Sequence, residues 1–219
     1  MALRLKVRFD SDKNLSLPLS YSYPLQSAVY ETLSSIIHNS HEHGLDANGR
    51  VLKVFVFSRL SGQSKLIRDG SIYFTPPISL RFSSPLEDYT QAFANGLLKE
   101  GGIKLTETRL ELKSIEVEPK MPRKDSISAR TISPVTVYST LKTFDGKKRT
   151  YFYNPAEKDF VLQLKENLNR KAIALGISVG ATDFLSFELK SKPIQRIVKY
   201  KNFVQIAWDF SFKLNTDPE

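Results

Sequence analysis

Along the first half of the chain the hydrophobic period alternates between two residues and about 3.6, and each switch marks a change between strand and helix. Residues 3–9, LRLKVRF, place Leu3, Leu5, Val7 and Phe9 on one face and Arg4, Lys6 and Arg8 on the other, the pattern of a half-buried strand. A polar connection follows. Residues 25–37, LQSAVYETLSSII, then carry Leu25, Val29, Leu33 and Ile36 at helical spacing, with Tyr30 at the border of the apolar face. LKVFVFSRL (52–60) is β-branched and aromatic and predicts a strand; GSIYFT (70–75) and ISLRF (78–82) predict two further short ones. Ser84, Pro85 and Glu87 have the residue types of an N-cap, a first helical position and a capping box. Leu86, Phe93 and Leu97 line one face of the helix that follows, and Gly101-Gly102 is where it should stop. LELKSIEVE (110–118) alternates again as a strand.

Strand, helix, strands, helix, strand is the order of the ferredoxin-like split β-α-β unit, an antiparallel sheet with two helices on one face. PKMPRKDSISAR (119–130), with two prolines and a cluster of basic residues, breaks the pattern as a linker would. A second series follows. TISPVTVYSTL (131–141) and KRTYFYN (148–154) predict strands around a turn at Asp145-Gly146. Asn154, Pro155 and Glu157 give a second capping arrangement, for a helix over about 155–175 with Phe160, Leu164, Leu168 and Ile173 inward and Gly176 at its end. FLSFELK (184–190), IQRIVKY (194–200) and FVQIAWDFSFKL (203–214) predict further strands. The expected fold is α+β: two tandem ferredoxin-like domains, residues 1–120 and 121–219, the second less regular than the first.

Composition narrows the chemistry. The chain has no cysteine, which excludes disulfides, thiolate metal sites and cysteine nucleophiles and fits a reducing interior such as the cytoplasm. No apolar run approaches the roughly 20 residues of a membrane-spanning helix, and the alternating N-terminus does not read as a signal peptide. Lys and Arg number 32 against 23 for Asp and Glu, a formal +9, and such a chain draws polyanions, nucleic acid among them.

All three histidines, His38, His41 and His43, fall in IIHNSHEHGL (36–45). With Glu42 or Asp46 they have the donor types of a zinc set, but the spacing matches no specific zinc motif. Histidine titrates near pH 6.5, so one of them can move protons in catalysis. A polar loop closed by Gly44 and Gly49 is the third reading.

Several stretches together carry a family likeness: YETLSS, the histidine-glycine loop at HEHG, LKVFVFSRL, TISPV and AWDFSF. Their order and spacing resemble the CRISPR-associated endoribonucleases that cut repeat RNA into guide RNAs, the Cas-six family of the RAMP superfamily. The resemblance implies two ferredoxin-like domains and metal-independent cleavage with no cofactor. In it the 2′-hydroxyl attacks the adjacent phosphate and leaves a 2′,3′-cyclic phosphate and a 5′-hydroxyl. It places a catalytic tyrosine at Tyr30, a histidine at His41 (with His43 the substitute if the loop register slips) and a lysine at Lys53. Such cleavage needs a base for the 2′-hydroxyl, an acid for the leaving 5′-oxygen and positive charge at the phosphorane. Family members finish with a glycine-rich loop expected to contact RNA; this sequence ends at LNTDPE before one. A non-catalytic RNA-binding relative, or a subunit of an effector complex, is the alternative reading.

The implied partner is CRISPR repeat RNA; CRISPR effector-complex proteins and a second copy of the chain also fit the resemblance, and a membrane does not. KSKPIQRIVKYK (190–201) has five basic residues and no acid, which makes Lys190, Lys192, Arg196, Lys199 and Lys201 a cationic ribbon with Tyr200 available for stacking. Arg123, Lys124 and Arg130 are RNA-contact candidates in the linker, and Lys147, Lys148 and Arg149 form a third basic cluster. Phe55, Phe57, Trp208 and Phe210 are expected in the core.

Overall fold

The alternation in the first strand has its expected consequence. In a computed structural model, β1 (Leu3–Asp10) buries Leu5, Val7 and Phe9 and turns Arg4 and Arg8 to solvent. The structure describes residues 3–36, 45–47, 50–66, 69–119, 126–176, 186–200 and 203–215. The chain divides into two compact units: Met1–Gly44 with Val51–Met121, and Leu45–Arg50 with Pro122–Glu219.

In the first unit β1 runs to a short β2 (Leu15–Pro18) and then to α1 (Ser22–Ser34). β3 (Leu45–Ala47) and the first residue of β4 (Arg50–Leu52) belong to the second unit; the first resumes at Val51 and continues with β5 (Val56–Phe57), β6 (Ser61–Leu66) and the long β7 (Ser71–Ser84). The unit closes with α2 (Glu87–Glu100), β8 (Gly102–Leu105) and β9 (Thr108–Glu118). β1 is central, antiparallel to β7 on one side and to β9 on the other, and β5 and β6 pair with β7. Taking β5 and β6 together as the second strand, the order is the 4-1-3-2 of a ferredoxin-like sheet, built by the two helices that follow β1 and β7.

Four expectations need correction here. The stretch 52–60 is not one strand: only Val56–Phe57 pair with β7. Where the ladder fails, side chains replace it. Ser58 N–H donates to the Arg81 carbonyl at 2.9 Å, while Ser58 Oγ accepts Arg81 N–H at 3.0 Å. Second, the strands expected at 70–75 and 78–82 are one strand that continues through Pro76-Pro77. Third, β2 and β6 escape hydrophobic patterning because they are short or polar; all six residues of β6 are exposed. Fourth, Ser84 is no N-cap: α2 starts at Glu87 with no side-chain cap. The helix does stop where expected, at Gly101 (φ 66°), a left-handed conformation that favours glycine.

The core of this unit is aromatic and aliphatic. Phe9, Ile78, Leu80, Phe82, Phe93 and Leu97 are all fully buried, and Phe82 stacks on Phe93 with centroids 4.2 Å apart. Where α1 meets α2 the backbones nearly touch. A Cβ on Gly96 would lie 2.3 Å from the Thr32 carbonyl oxygen, so only glycine fits.

The second unit has β10 (Ser126–Arg130), β11 (Tyr138–Lys142), β12 (Lys148–Phe152), α3 (Lys158–Ala174), β13 (Ser186–Leu189), β14 (Ile194–Tyr200), β15 (Phe203–Asp209) and β16 (Ser211–Asn215). β16 sits between β10 and β13, while β11–β12 and β14–β15 are separate two-stranded ribbons. With α3 between them in sequence, β10, β13 and β16 occupy the 1-3-2 positions of the same plan. Phe160 of α3 is fully buried and packs on Phe187 and Phe210, with Phe212 alongside.

Sequence and structure differ in this unit too. Residues 126–130 are a strand, not linker. Of 131–141 only Tyr138 onward is a strand, Val135 making one bridge to Trp208. The capping arrangement forms as hydrogen bonds: Asn154 N–H to Glu157 Oε1 and Ala156 N–H to Asn154 Oδ1, both 2.9 Å. α3 nonetheless begins at Lys158, and Ile173, expected inward, is 57% exposed.

Candidate active site

Tyr30 lies in the third turn of α1, whose apolar spacing faces the sheet; it is 7% exposed, deeper than a border position implies. Lys53 leaves the chain just after β4, in a segment (53–55) outside any ladder. That segment is fastened by its middle carbonyl and by its last side chain. The Val54 carbonyl accepts the buried Ser84 hydroxyl at 2.8 Å. The Phe55 ring meets Tyr30 edge-on at 5.4 Å, stacks on Phe82 at 5.4 Å and tilts against Tyr89 at 5.8 Å.

This brings two of the expected catalytic residues together. The Lys53 ammonium lies over the Tyr30 ring, 5.8 Å from its centroid, within the range of a cation–π contact. The half-buried setting pushes the Lys53 pKa down, because desolvation penalises the charged form. Tyr89, buried at the start of α2, has its pKa pushed up, first by burial and then by the field of Tyr30. The group is therefore a cation over one phenol ring, with a second phenol against Phe55, in surroundings of reduced dielectric. It can hold positive charge against an oxyanion, and it can offer hydroxyl donors.

Tyr89 and Ser84 join the cluster without a signal of their own in the sequence. Tyr89 reads as a face residue of a helix, and Ser84 reads as its cap; only the tertiary fold turns both toward the lysine segment. Phe55 is core, as expected, and so is Phe210, while Phe57 and Trp208 are half-buried.

His38, His41 and His43 lie outside the described residues, and so do Arg123, Lys124 and Lys201. The other basic candidates lie in the second unit. Arg130 ends β10 and is exposed. Lys190 pairs with Glu188, Lys192 is exposed, and Arg196 is tied to Asp209 at 2.7 Å. Lys199 is exposed on β14. Of the five cations expected in the ribbon, Arg196 and Lys199 lie on β14, and Lys190 and Arg196 are already partnered. The ribbon is also more apolar than its charges imply: Ile197 is 74% and Phe203 70% exposed. Among the described residues, no helix is long and apolar enough to cross a membrane.

Sheet order, helix placement and the lysine–tyrosine contact define an α+β protein of ferredoxin-like build with a compact cationic site in its first unit. The description "CRISPR-associated protein Cas6, N-terminal" matches residues 16–116, and "CRISPR associated protein Cas6, C-terminal" matches residues 112–219. The chain belongs to the CRISPR-associated Cas6 family. It is 29% identical over 205 residues to a protein of Methanocaldococcus jannaschii named CRISPR-associated endoribonuclease Cas6 1, covering 90% of this chain and 76% of that one. It is 24% identical over 206 residues to CRISPR-associated endoribonuclease Cas6 of Pyrococcus furiosus, covering 93% and 75%. Among solved structures, one titled "CRISPR associated protein Cas6" matches with a TM-score of 0.80 at 23% identity, over 99% of this chain and 89% of that one. A second, of a Cas6-related gene from Pyrococcus furiosus, gives 0.82 at 19%, over 100% and 88%. These two structural likenesses speak to the fold.

Proposed function

We propose that this chain is an endoribonuclease that cuts CRISPR repeat RNA to generate guide RNAs. The 2′-hydroxyl beside the cut attacks the phosphate, the 5′-oxygen leaves, and the products are a 2′,3′-cyclic phosphate and a 5′-hydroxyl, with no metal required. The observation that carries the reading is the Lys53 ammonium held over Tyr30 in a chain of this family. Two curated relatives named endoribonucleases support it.

Each residue has a role that its chemistry supports. Lys53 supplies charge where the phosphorane becomes negative, in a half-buried position where a charge counts for more than in water. Tyr30 positions the 2′-hydroxyl or a phosphate oxygen. His41, or His43 in its place, acts as the general base for the 2′-hydroxyl or the general acid for the leaving 5′-oxygen. Arg123, Lys124, Arg130, Lys190, Lys192, Arg196, Lys199 and Lys201 contact RNA phosphates. Lys192 and Lys199 should contribute more than Lys190 and Arg196, whose carboxylate partners offset their charge.

The test is a repeat RNA with a single 2′-deoxy substitution at the cut site. It should bind and resist cleavage; cutting at the normal rate overturns the mechanism. Cleavage of the unmodified RNA should survive EDTA, and full inhibition by the chelator overturns the metal-independent route. Binding with no cleavage under any condition leaves the RNA-binding, non-catalytic alternative.

A further inference from the structure

Ser84 has the sequence context of a helix cap and does something else. It is 1% exposed, at the last position of β7. Its hydroxyl donates to the Val54 carbonyl at 2.8 Å and accepts the Leu86 N–H at 3.1 Å. One buried oxygen thus joins the end of a central strand, the entry to α2 and the segment that bears Lys53. The next residue along that segment, Phe55, is held by three rings, two of which are Tyr30 and Tyr89. A fixed carbonyl at 54 and a fixed ring at 55 leave the preceding residue little freedom in the direction it takes from the backbone.

We propose that Ser84 is a positioning residue for Lys53: its hydroxyl holds the 53–55 backbone out of the sheet ladder, so that the ammonium lies over the Tyr30 ring. The proposal rests on the reading that Lys53 and Tyr30 act on RNA. It explains why a stretch rich in β-branched and aromatic residues, 51 to 57, leaves the ladder where Lys53 sits. A ladder would have satisfied the Val54 carbonyl with a backbone N–H; here a side chain takes that place. It also accounts for a buried hydroxyl spent on a carbonyl of another segment at the point where α2 lacks a side-chain cap.

The experiment is steady-state and single-turnover cleavage of a synthetic RNA carrying the CRISPR repeat of the same genome. Ser84→Ala should lower kcat about tenfold with KM within about twofold, because a misplacement of about 1 Å at a catalytic group costs up to ~100-fold. Ser84→Thr, which keeps the hydroxyl, should restore most of the rate, and Ser84→Cys, a weaker donor, should fall between. The deciding readout is a cycle with Lys53→Ala. If Ser84 works through the lysine, Ser84→Ala adds little in the Lys53→Ala background; independent losses that multiply overturn the proposal. Wild-type rates in both the Ala and Cys variants overturn it as well. If the Ala variant does not fold, the Cys variant carries the same cycle. Wild-type cleavage by Lys53→Ala alone is a different failure: it removes the catalytic role given to Lys53 in the proposed function, on which this proposal rests.

Discussion

The two units follow one plan and complete it to different degrees. The first has all four sheet positions and two helices; the second, among the described residues, has three sheet positions, one helix and two detached ribbons. Their cores differ accordingly. Of the apolar residues buried among the described ones, only Tyr153, Phe160, Ala172, Ala207 and Phe210 belong to the second unit, and the remainder belong to the first. A sheet covered on one face by two helices buries its alternating residues in a single layer. In the second unit the described residues form a three-stranded sheet under one helix, and Ile197, Phe203 and Val204 of the β14–β15 ribbon are exposed. The catalytic candidates with described side chains sit in the tight unit, where aromatic packing fixes them. The described cations expected to meet RNA sit in the looser one.

The largest effects should come from testing that asymmetry directly. Phe82→Ala removes a fully buried ring that stacks on both Phe55 and Phe93. It should cost the first unit about 3–5 kcal/mol and abolish cleavage, since Phe55 holds the Lys53 segment. Phe160→Ala takes out the one fully buried large side chain of the second unit among the described residues. Its cost should fall near 3 kcal/mol, because partly exposed neighbours can settle into the gap. Differential scanning calorimetry with hydrogen exchange reads both. The comparison breaks if Phe160→Ala destabilises the first unit's amides as strongly as Phe82→Ala does.

A middle-sized effect belongs to the contact between α1 and α2. Gly96→Ala would set a methyl 2.3 Å from the Thr32 carbonyl and 2.9 Å from its Cγ2, both attached to α1. The helices must part, at about 1–3 kcal/mol, even though alanine favours helix intrinsically. A melting temperature at or above wild type sinks the close-approach account. Since Tyr30 lies on α1 two residues before Thr32, cleavage should fall along with stability.

What the sequence discloses follows from the same contrast. Elements that bury one face announce themselves: β1, α1, α2 and β9 are all readable from period, and Gly101 from the helix it ends. Elements set by neighbours do not. β6 is SGQSKL, without an apolar stripe, and exists because β7 offers it an edge. Residues 52–60 have the composition of a strand, yet the hydroxyls of Ser58 and Ser84 compete successfully for its backbone partners. At the site, Tyr30 and Lys53 are reached by family resemblance, and their contact is a tertiary fact. Tyr89 and Ser84 are about 30 residues or more from Lys53 in the chain, so no local pattern links them.

The smallest expected effect compares the units through their surface charge. Asp10, in the first unit, receives the Lys113 ammonium at 3.1 Å and the Ser11 N–H at 3.0 Å, and the Lys113 hydrogen bond is the main reason its pKa falls below the ordinary 3.8. Glu188, in the second, is held below its ordinary 4.5 chiefly by the hydrogen bond from Lys190. A carboxyl whose folded pKa is depressed adds stability above its unfolded value and loses it as pH falls through the folded one. Both contributions are therefore complete at neutral pH and disappear below about pH 4. Lys113→Ala should lower the neutral plateau of the first unit's stability slightly and leave its acid end unchanged, so that the acid limb flattens, and Lys190→Ala should do the same in the second. The pairs are exposed, so added salt should shrink both differences. If Lys113→Ala instead lowers stability equally at pH 3 and pH 7, the lysine acts through packing of its aliphatic stem and not through the Asp10 charge.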